Sequence, residues 1–208
     1  DGTEQIVKNM AKNYNFISYD KSKVRSGKGW AIKRVVNRAE GKFTILMDAD
    51  GSISFYDVIK YLKFTGEYDV ILFDRYHSKN SRIPFLRKIP SRGYNILVRA
   101  LFRIKVYDTQ CGYQIIRTEL LKKAFNKITV TNGFYYVPLI YYLKHQGAKI
   151  IELNDITYQH NGESKFDILA MMVGGGVSLI AFRLRHSRFY KYVPHWAREL
   201  YSRKFKWI

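Results

Sequence analysis

Two carboxylates one residue apart, Asp48 and Asp50, close an apolar, β-rich run in the segment Phe43-Thr44-Ile45-Leu46-Met47-Asp48-Ala49-Asp50-Gly51-Ser52. Side chains alternate along a strand, so both acids point the same way if the strand geometry persists. Two hard oxygen ligands at a strand's carboxyl end suit Mg²⁺ or Mn²⁺ carrying a substrate phosphate. That edge of an α/β sheet is also where ligands bind. Asp, Gly and Ser are ordinary turn formers too. An isolated D-x-D therefore reads first as a polar turn, and the rest of the chain has to shift that balance.

Two further stretches could hold phosphate. Ser26-Gly27-Lys28-Gly29 precedes a predicted helix. Its glycines let backbone amides approach an anion, the helix N-terminus favours one, and Lys28 adds charge. The glycine spacing is not that of a Walker loop, and alone the stretch reads as a turn. From Arg75 to Tyr107 there is no Asp or Glu, while arginines and lysines recur throughout, Arg75, Arg82, Arg87, Arg92 and Arg99 among them. Part of this is solvated helix face. So one-sided a cluster, following a sheet strand, is also a candidate site for a second phosphate, which arginine binds bidentately. The five histidines show no metal-ligand spacing.

Apolar and aromatic periodicity supplies the elements that position these residues. Helical patterns over 3–12, 28–38, 54–64, 91–103, 119–125 and 135–145 alternate with strand patterns over 15–19, 42–47, 69–73 and 149–158, and a turn at 108–112 leads into a short strand. Strands alternating with helices of this length predict an α/β fold, a mostly parallel, doubly wound sheet flanked by helices. Of 208 residues, 47% are apolar and 25% charged, enough to bury a core. Lys and Arg number 36 against 17 Asp and Glu, for a net charge of +19. Such a surplus calls for an anionic partner. The single cysteine, Cys111, excludes an internal disulfide framework and fits a reducing compartment. The chain starts Asp1-Gly2-Thr3, without Met, and is expected to begin within a domain.

The last forty residues differ. Residues 168–182 are uncharged and include Gly174-Gly175-Gly176. A bilayer span needs about 20 apolar residues, so the run is short for one. Beyond it, basic residues alternate with Phe189, Tyr190, Tyr192, Trp196 and Tyr201, against one acid, Glu199. Basic residues with interfacial aromatics describe a segment lying on an anionic membrane surface. The plainer reading is a solvated basic tail, or a helix packing its aromatics on the domain.

Taken in order, G-K-G-W-A, D-A-D-G-S, an Arg-rich stretch ending S-R-G-Y-N, D-T-Q-C-G-Y-Q and G-E-S-K-F resemble family-2 glycosyltransferases with the GT-A fold. Within that family they are similar to dolichol-phosphate mannose and glucose synthases and their bacterial undecaprenyl-phosphate relatives. The resemblance covers residues 1 to about 166, leaving 167–208 as a membrane-contacting helical extension. It implies that Asp48 and Asp50 hold the metal, Mg²⁺ or Mn²⁺, and that Asp48, Asp1, Lys28 and Arg75 bind the nucleotide-sugar donor. It places Arg87, Ser91 and Lys165 at the acceptor phosphate, and it groups Asp50, Asp108 and Arg87 as catalytic, Asp108 orienting groups in the site or capping its turn. Two departures stand out. Ser52 sits where mannose synthases usually carry Gln, and Gln159 near where an Arg usually precedes G-E-S-K.

A chemical argument favours a polyprenyl phosphate acceptor. Family-2 enzymes that glycosylate a hydroxyl use a carboxylate base, and the comparable stretch here, Gly133-Phe134-Tyr135-Tyr136-Val137-Pro138-Leu139, has no acid. A phosphate monoester is already mostly anionic near neutrality, with a second pKa of about 6, and needs no protein base. The sequence therefore reads as an enzyme transferring a hexose with inversion from a nucleotide sugar, of GDP-mannose or UDP-glucose type, to dolichyl or undecaprenyl phosphate. It would act as a peripheral protein on the cytoplasmic face of a membrane, with no nucleic acid partner expected. Transfer to a saccharide hydroxyl, and a non-catalytic nucleic-acid-binding role, are the alternatives.

Overall fold

The computed structural model describes residues 2–22, 27–83, 85–129, 132–159 and 168–204. Helix α1 (Thr3–Asn13) buries none of its residues. Helix α2 (Lys28–Val35) opens at Gly27, whose φ of 86° lies in the left-handed region that glycine enters without cost. It tightens into a 3₁₀ turn at Val36–Arg38. Strand β1 (Phe43–Leu46) and helix α3 (Phe55–Ile59) follow, then a 3₁₀ segment, Lys60–Gly66, and strand β2 (Val70–Phe73). Strand β3 (Asn80–Arg82) leads to α4 (Phe85–Phe102), and β4 (Gln114–Arg117) to α5 (Thr118–Lys127) and α6 (Tyr136–His145). Strands β5 (Ile150–Leu153) and β6 (Thr157–Gln159) precede α7 (Ile168–Arg185), a 3₁₀ turn at Arg188–Tyr192, and α8 (His195–Lys204).

Four strands form one sheet in the order β1-β4-β2-β5, and β3 pairs with β6 in a separate two-stranded sheet. All four residues of β2 are buried. Because side chains alternate, Val70 and Leu72 join Ile116 of β4 in a core with α4, α5, α6 and α7. Ile71 and Phe73 join Ile115 on the opposite side, with Ile53, Val58 and Tyr61. A strand sandwiched this way reads as an unbroken apolar run, as Val70-Ile71-Leu72-Phe73 does.

The α/β class holds, but the mostly parallel sheet is corrected to a mixed one. Strand β4 runs antiparallel to both β1 and β2, while β2 and β5 are parallel. The reason lies in the loop before β4. The chain leaves α4, turns through 108–112, and enters between two strands already laid down, a connection that is not a β-α-β crossover. The strand expected at 15–19 has no ladder partner among the described residues: it opens in a turn, closed by the Ile17 amide on the Tyr14 carbonyl at 3.0 Å, and Phe16 there is 80% exposed. The strand expected over 149–158 divides at Asn154-Asp155, a turn-forming pair, so that β5 and β6 belong to different sheets. The helix expected over 54–64 keeps α geometry only to Ile59.

Among the described residues no helix is long and apolar enough to cross a membrane. Helix α7 packs on α4 and places Leu179 and Phe182 in the main core cluster. The triple glycine has a local cause: a Cβ on Gly175 would lie 2.6 Å from Phe134 Cε1 and 3.0 Å from Tyr94 Cε2, whereas one on Gly176 meets nothing within 4 Å. Two substitutions separate packing from helix propensity. Gly175→Val should destabilise the protein by about 1–3 kcal/mol through overpacking, while Gly176→Ala should stabilise it by up to about 1 kcal/mol. Urea denaturation reads both. Effects of the same sign would show that close approach is not what Gly175 provides.

Candidate active site

Strand β1 stops at Leu46, two residues short of Asp48. Strand alternation therefore does not align the two acids, and that expectation is corrected: a turn positions them. Gly51 supplies its left-handed corner with a φ of 67°. Asp50 Oδ1 accepts the Ser52 amide at 2.9 Å, and the Tyr113 hydroxyl lies 3.2 Å from both Asp50 Oδ1 and the Asp48 carbonyl oxygen. The same hydroxyl accepts the Ile53 amide at 3.2 Å. Tyr113 thus clamps the turn from beneath, and burial pushes its phenol up to about 12. Partial burial opposes ionisation of Asp50. The Ser52 amide and hydroxyl, the Tyr113 hydroxyl and the Lys28 charge outweigh it, and the carboxyl is held below its usual range.

Asp48 faces elsewhere. Its carboxylate pairs with the Lys28 ammonium, which also donates to the Tyr136 hydroxyl at 2.7 Å. Lys28 reaches them from the first turn of α2, and Tyr136 from the first turn of α6. Burial, then the neighbouring Tyr135 and Asp48, raise the Tyr136 pKa far above the phenol range, so it stays neutral. Gly112 closes the other side: a Cβ there would sit 1.7 Å from Asp48 Oδ2. A side chain at that position would have to displace the Asp48 carboxylate.

The loop carrying Gly112 is tied down at each end. Arg75 and Asp108, assigned by resemblance to the donor and to catalysis, are brought together, but onto each other. Arg75 Nε and Nη2 donate to Asp108 Oδ2 and Oδ1 at 2.6 and 3.0 Å, and the Arg75 amide adds a third bond at 3.2 Å. The Asp108 side chain is completely buried. It also caps the Gln110 amide at 3.1 Å. Thr109 donates its hydroxyl at 2.6 Å and its amide at 3.2 Å to Asn95 Oδ1 of α4. Glu152 of β5 accepts the amides of Tyr107 and Asp108 at 2.8 and 2.7 Å. Burial, reinforced by Asp74 and Asp108 and only partly offset by those amides, raises its carboxyl to about 7.

Ser91 lies on α4 and hydrogen-bonds the Tyr76 side chain. Asp1, Lys165 and the Arg87 side chain fall outside the described residues. The two departures from the family pattern turn out to be joined: the Gln159 amide donates to the Ser52 carbonyl at 2.9 Å, stitching the smaller sheet to the D-x-D turn. Sequence reasoning passed over Gly112, Tyr113, Tyr136 and Asn95 as site residues. The first two belong to the quoted D-T-Q-C-G-Y-Q string, and Tyr136 to the acid-free stretch, so the signals were present without roles. Nothing in the sequence singles out Asn95.

Among the described residues no group of three or more His, Cys, Asp or Glu could enclose a metal. The donor set fits a hard divalent ion that completes its shell with substrate oxygens. Asp50 is held ionised, and Asp48 already attracts one cation, the Lys28 ammonium.

The fold is a mixed α/β sheet flanked by helices with a carboxylate turn beyond its first strand. The model for glycosyl transferase family 2 matches residues 1–125, and the chain belongs to that family. It is 25% identical to the dolichyl-phosphate beta-glucosyltransferase of Dictyostelium discoideum, over 88% of this chain and 58% of that protein. It is also 25% identical to the human dolichyl-phosphate beta-glucosyltransferase, over 89% of this chain and 62% of that protein. The chain thus spans less than two thirds of the length of these relatives. Its fold is similar to glucosyl-3-phosphoglycerate synthase from Mycobacterium tuberculosis, solved in complex with Mg²⁺ and UDP, with a TM-score of 0.53 and 17% identity over 78% of this chain and 56% of that one.

Two tests address this geometry. Gly112→Ala should push Asp48 off its position and lower sugar transfer at least about 100-fold, the scale expected for a misplacement near 1 Å, while the circular dichroism spectrum is kept. Near-normal turnover would show that the close approach is incidental. Glu152 gives a pH test. Its carboxyl is raised in the folded state, so the folded protein binds the extra proton. Stability is then greatest below the unfolded value of 4.5 and falls as the pH rises towards about 7. Glu152→Gln should flatten that fall in urea denaturation between pH 5 and 8. An unchanged slope would assign it to another group.

Proposed function

We propose that this chain carries the catalytic part of an inverting glycosyltransferase that moves a hexose from a nucleotide sugar to a polyprenyl phosphate. The observation that carries the reading is Tyr136. Where transfer to a hydroxyl calls for a carboxylate base, this chain sets a buried, neutral phenol against the Lys28–Asp48 pair. The neighbouring buried acids are committed, Asp108 to Arg75 and Asp74 to His77 and the backbone amides of 76 and 77. An acceptor that arrives ionised removes the need for a base. The dolichyl-phosphate glucosyltransferases among the relatives support such an acceptor, and the similar fold solved with Mg²⁺ and UDP supports a divalent metal and a nucleoside-diphosphate donor.

In this reading Asp48 and Asp50 hold Mg²⁺ or Mn²⁺, which neutralises the leaving diphosphate when bound. Gly27 and the first turn of α2 present backbone amides, and Lys28 is placed to transfer its charge from Asp48 to the donor diphosphate. An oxygen of the acceptor phosphate attacks the anomeric carbon, the bond to the diphosphate oxygen breaks, and configuration inverts. No proton has to be removed by the protein. Catalysis is then positioning and electrostatic stabilisation. Arg87 and Ser91 on α4, in the acid-free stretch beyond Arg75, hold the acceptor phosphate with Lys165. The basic, aromatic segment beyond α7 keeps the protein on an anionic membrane surface, and Phe189, Tyr192 and Trp196 there are exposed rather than packed on the domain.

A donor screen with dolichyl and undecaprenyl phosphate, read as lipid-linked sugar, tests the assignment. Transfer to free saccharides but not to either lipid would overturn it. Within that assay, Asp50→Asn should lower turnover at least about 100-fold with an unchanged circular dichroism spectrum. The substitution keeps the shape and removes the charge. Wild-type turnover would exclude Asp50 as a metal ligand.

A further inference from the structure

The two acids of the D-x-D turn are held in different ways. Asp50 is held by neutral donors, the Ser52 amide at 2.9 Å and the Tyr113 hydroxyl at 3.2 Å among them. Asp48 is held by a cation. The Lys28 ammonium pairs with its Oδ1, donates to the Tyr136 hydroxyl at 2.7 Å, and lies 5.4 Å from the centre of the Tyr136 ring. Gly112 backs the carboxylate at Oδ2, where a Cβ would come within 1.7 Å. The approach left to a second cation is at Oδ1, the oxygen that Lys28 holds.

An ammonium at that oxygen opposes a divalent ion there. Two like unit charges about 4 Å apart near a protein surface repel by more than the equivalent of a tenfold change in affinity, and the ion carries twice the charge. The pair can also be drawn apart. Its two side chains keep 31% and 38% of their surface in solvent, and a lysine ammonium moves on a flexible four-carbon stem. Tyr136 is fixed by comparison, buried and packed against the Tyr135 ring at 4.1 Å. A diphosphate at the first turn of α2, where Lys28 stands, would offer the ammonium more negative charge than one carboxylate does. We propose that Lys28 is a built-in competitor of the metal, lowering the affinity of the D-x-D turn for a divalent ion until a nucleoside diphosphate takes the ammonium from Asp48. The proposal rests on the reading that Asp48 and Asp50 hold a metal and that the donor is a nucleotide sugar. Metal and diphosphate then favour each other by one shared factor, as linkage requires. The turn holds a bare ion weakly, and Lys28 sets that weakness. A salt bridge that merely supported the site would have the opposite sign, because its loss would weaken what the site binds.

The full chain, Lys28→Met, Tyr136→Phe and Asp48→Asn are titrated with Mn²⁺ alone, and free Mn²⁺ is read by electron paramagnetic resonance. Asp48→Asn sets the blank for ions held elsewhere. Above that blank, Lys28→Met should bind Mn²⁺ at least about tenfold more tightly than wild type. Tyr136→Phe keeps the ring and removes the hydroxyl that holds the ammonium beside the turn, and should shift affinity the same way by a smaller factor. With UDP added, the gain in Mn²⁺ affinity should be at least about tenfold greater for wild type than for Lys28→Met. Equal or weaker binding of Mn²⁺ alone by Lys28→Met would overturn the proposal, as would an equal gain from UDP in both proteins. If Lys28→Met loses the wild-type circular dichroism spectrum, the sign of the Tyr136→Phe shift decides instead. The titrations are read without turnover, so a wild type that forms no lipid-linked sugar would count against the proposed reaction and leave the competition standing.

Discussion

The buried pair of Arg75 and Asp108 is the constraint on which the site depends. Asp108 lies fully out of solvent and Arg75 largely so, and each charge is matched: the guanidinium by a bidentate carboxylate, the carboxylate by that fork and two backbone amides. Breaking such a pair by removing one partner costs about 3–5 kcal/mol, because the other charge is left buried and uncompensated. Desolvation disfavours the guanidinium's charge, yet Asp108 more than restores it, and the Arg75 pKa rises well above its ordinary value. The pair joins the end of β2 to the start of the loop that leads into β4. That loop sets Gly112 against Asp48 and Tyr113 beneath Asp50. A pair that looks like spare binding capacity in the sequence is therefore the fixture that aligns the D-x-D turn.

Three further anchors converge on the same loop, and each comes from a different element. Asn95 holds it from α4, Glu152 from β5, and the buried Tyr113 ring from the second core. Such redundancy suits a site whose acids are not fixed by a strand. Beyond β1 the backbone is a turn with a left-handed glycine, and a turn alone would leave the carboxylates loose. The small β3–β6 sheet adds a fifth connection through the Gln159 amide and the Ser52 carbonyl. Because that bond is backbone to backbone, it tolerates the unusual residues at both positions.

Much of the fold was legible in the sequence where the physics is local. The apolar run of β2, the capless but glycine-preceded start of α2 and the turn at 108–112 follow from periodicity and turn chemistry. The direction of β4 was not legible, because pairing order is set by long-range burial of Ile115 and Ile116 on opposite faces, which no local pattern encodes. The same limit applies at the site. Asp48, Asp50 and Lys28 announced themselves by type and spacing, and they are neighbours. Arg75 announced itself equally well, but its partner is decided by which charge lies within reach in three dimensions. Asn95 is an ordinary polar residue on a helix until the fold buries it against Thr109.

Neutral phenols complete the electrostatic picture. Tyr113 and Tyr136 both contact the acidic turn, directly or through Lys28, and burial keeps both protonated at physiological pH. They supply hydrogen bonds without adding charge. That leaves the balance at the turn to two carboxylates and one ammonium, a net negative site that a divalent ion would reverse. Such a reversal is what an anionic donor and an anionic acceptor would require of it together. On the proposed reading, the strongly basic surroundings of α4 then serve the acceptor and the bilayer. Asp48 and Asp50 stand apart from those surroundings, where a cation is to be held.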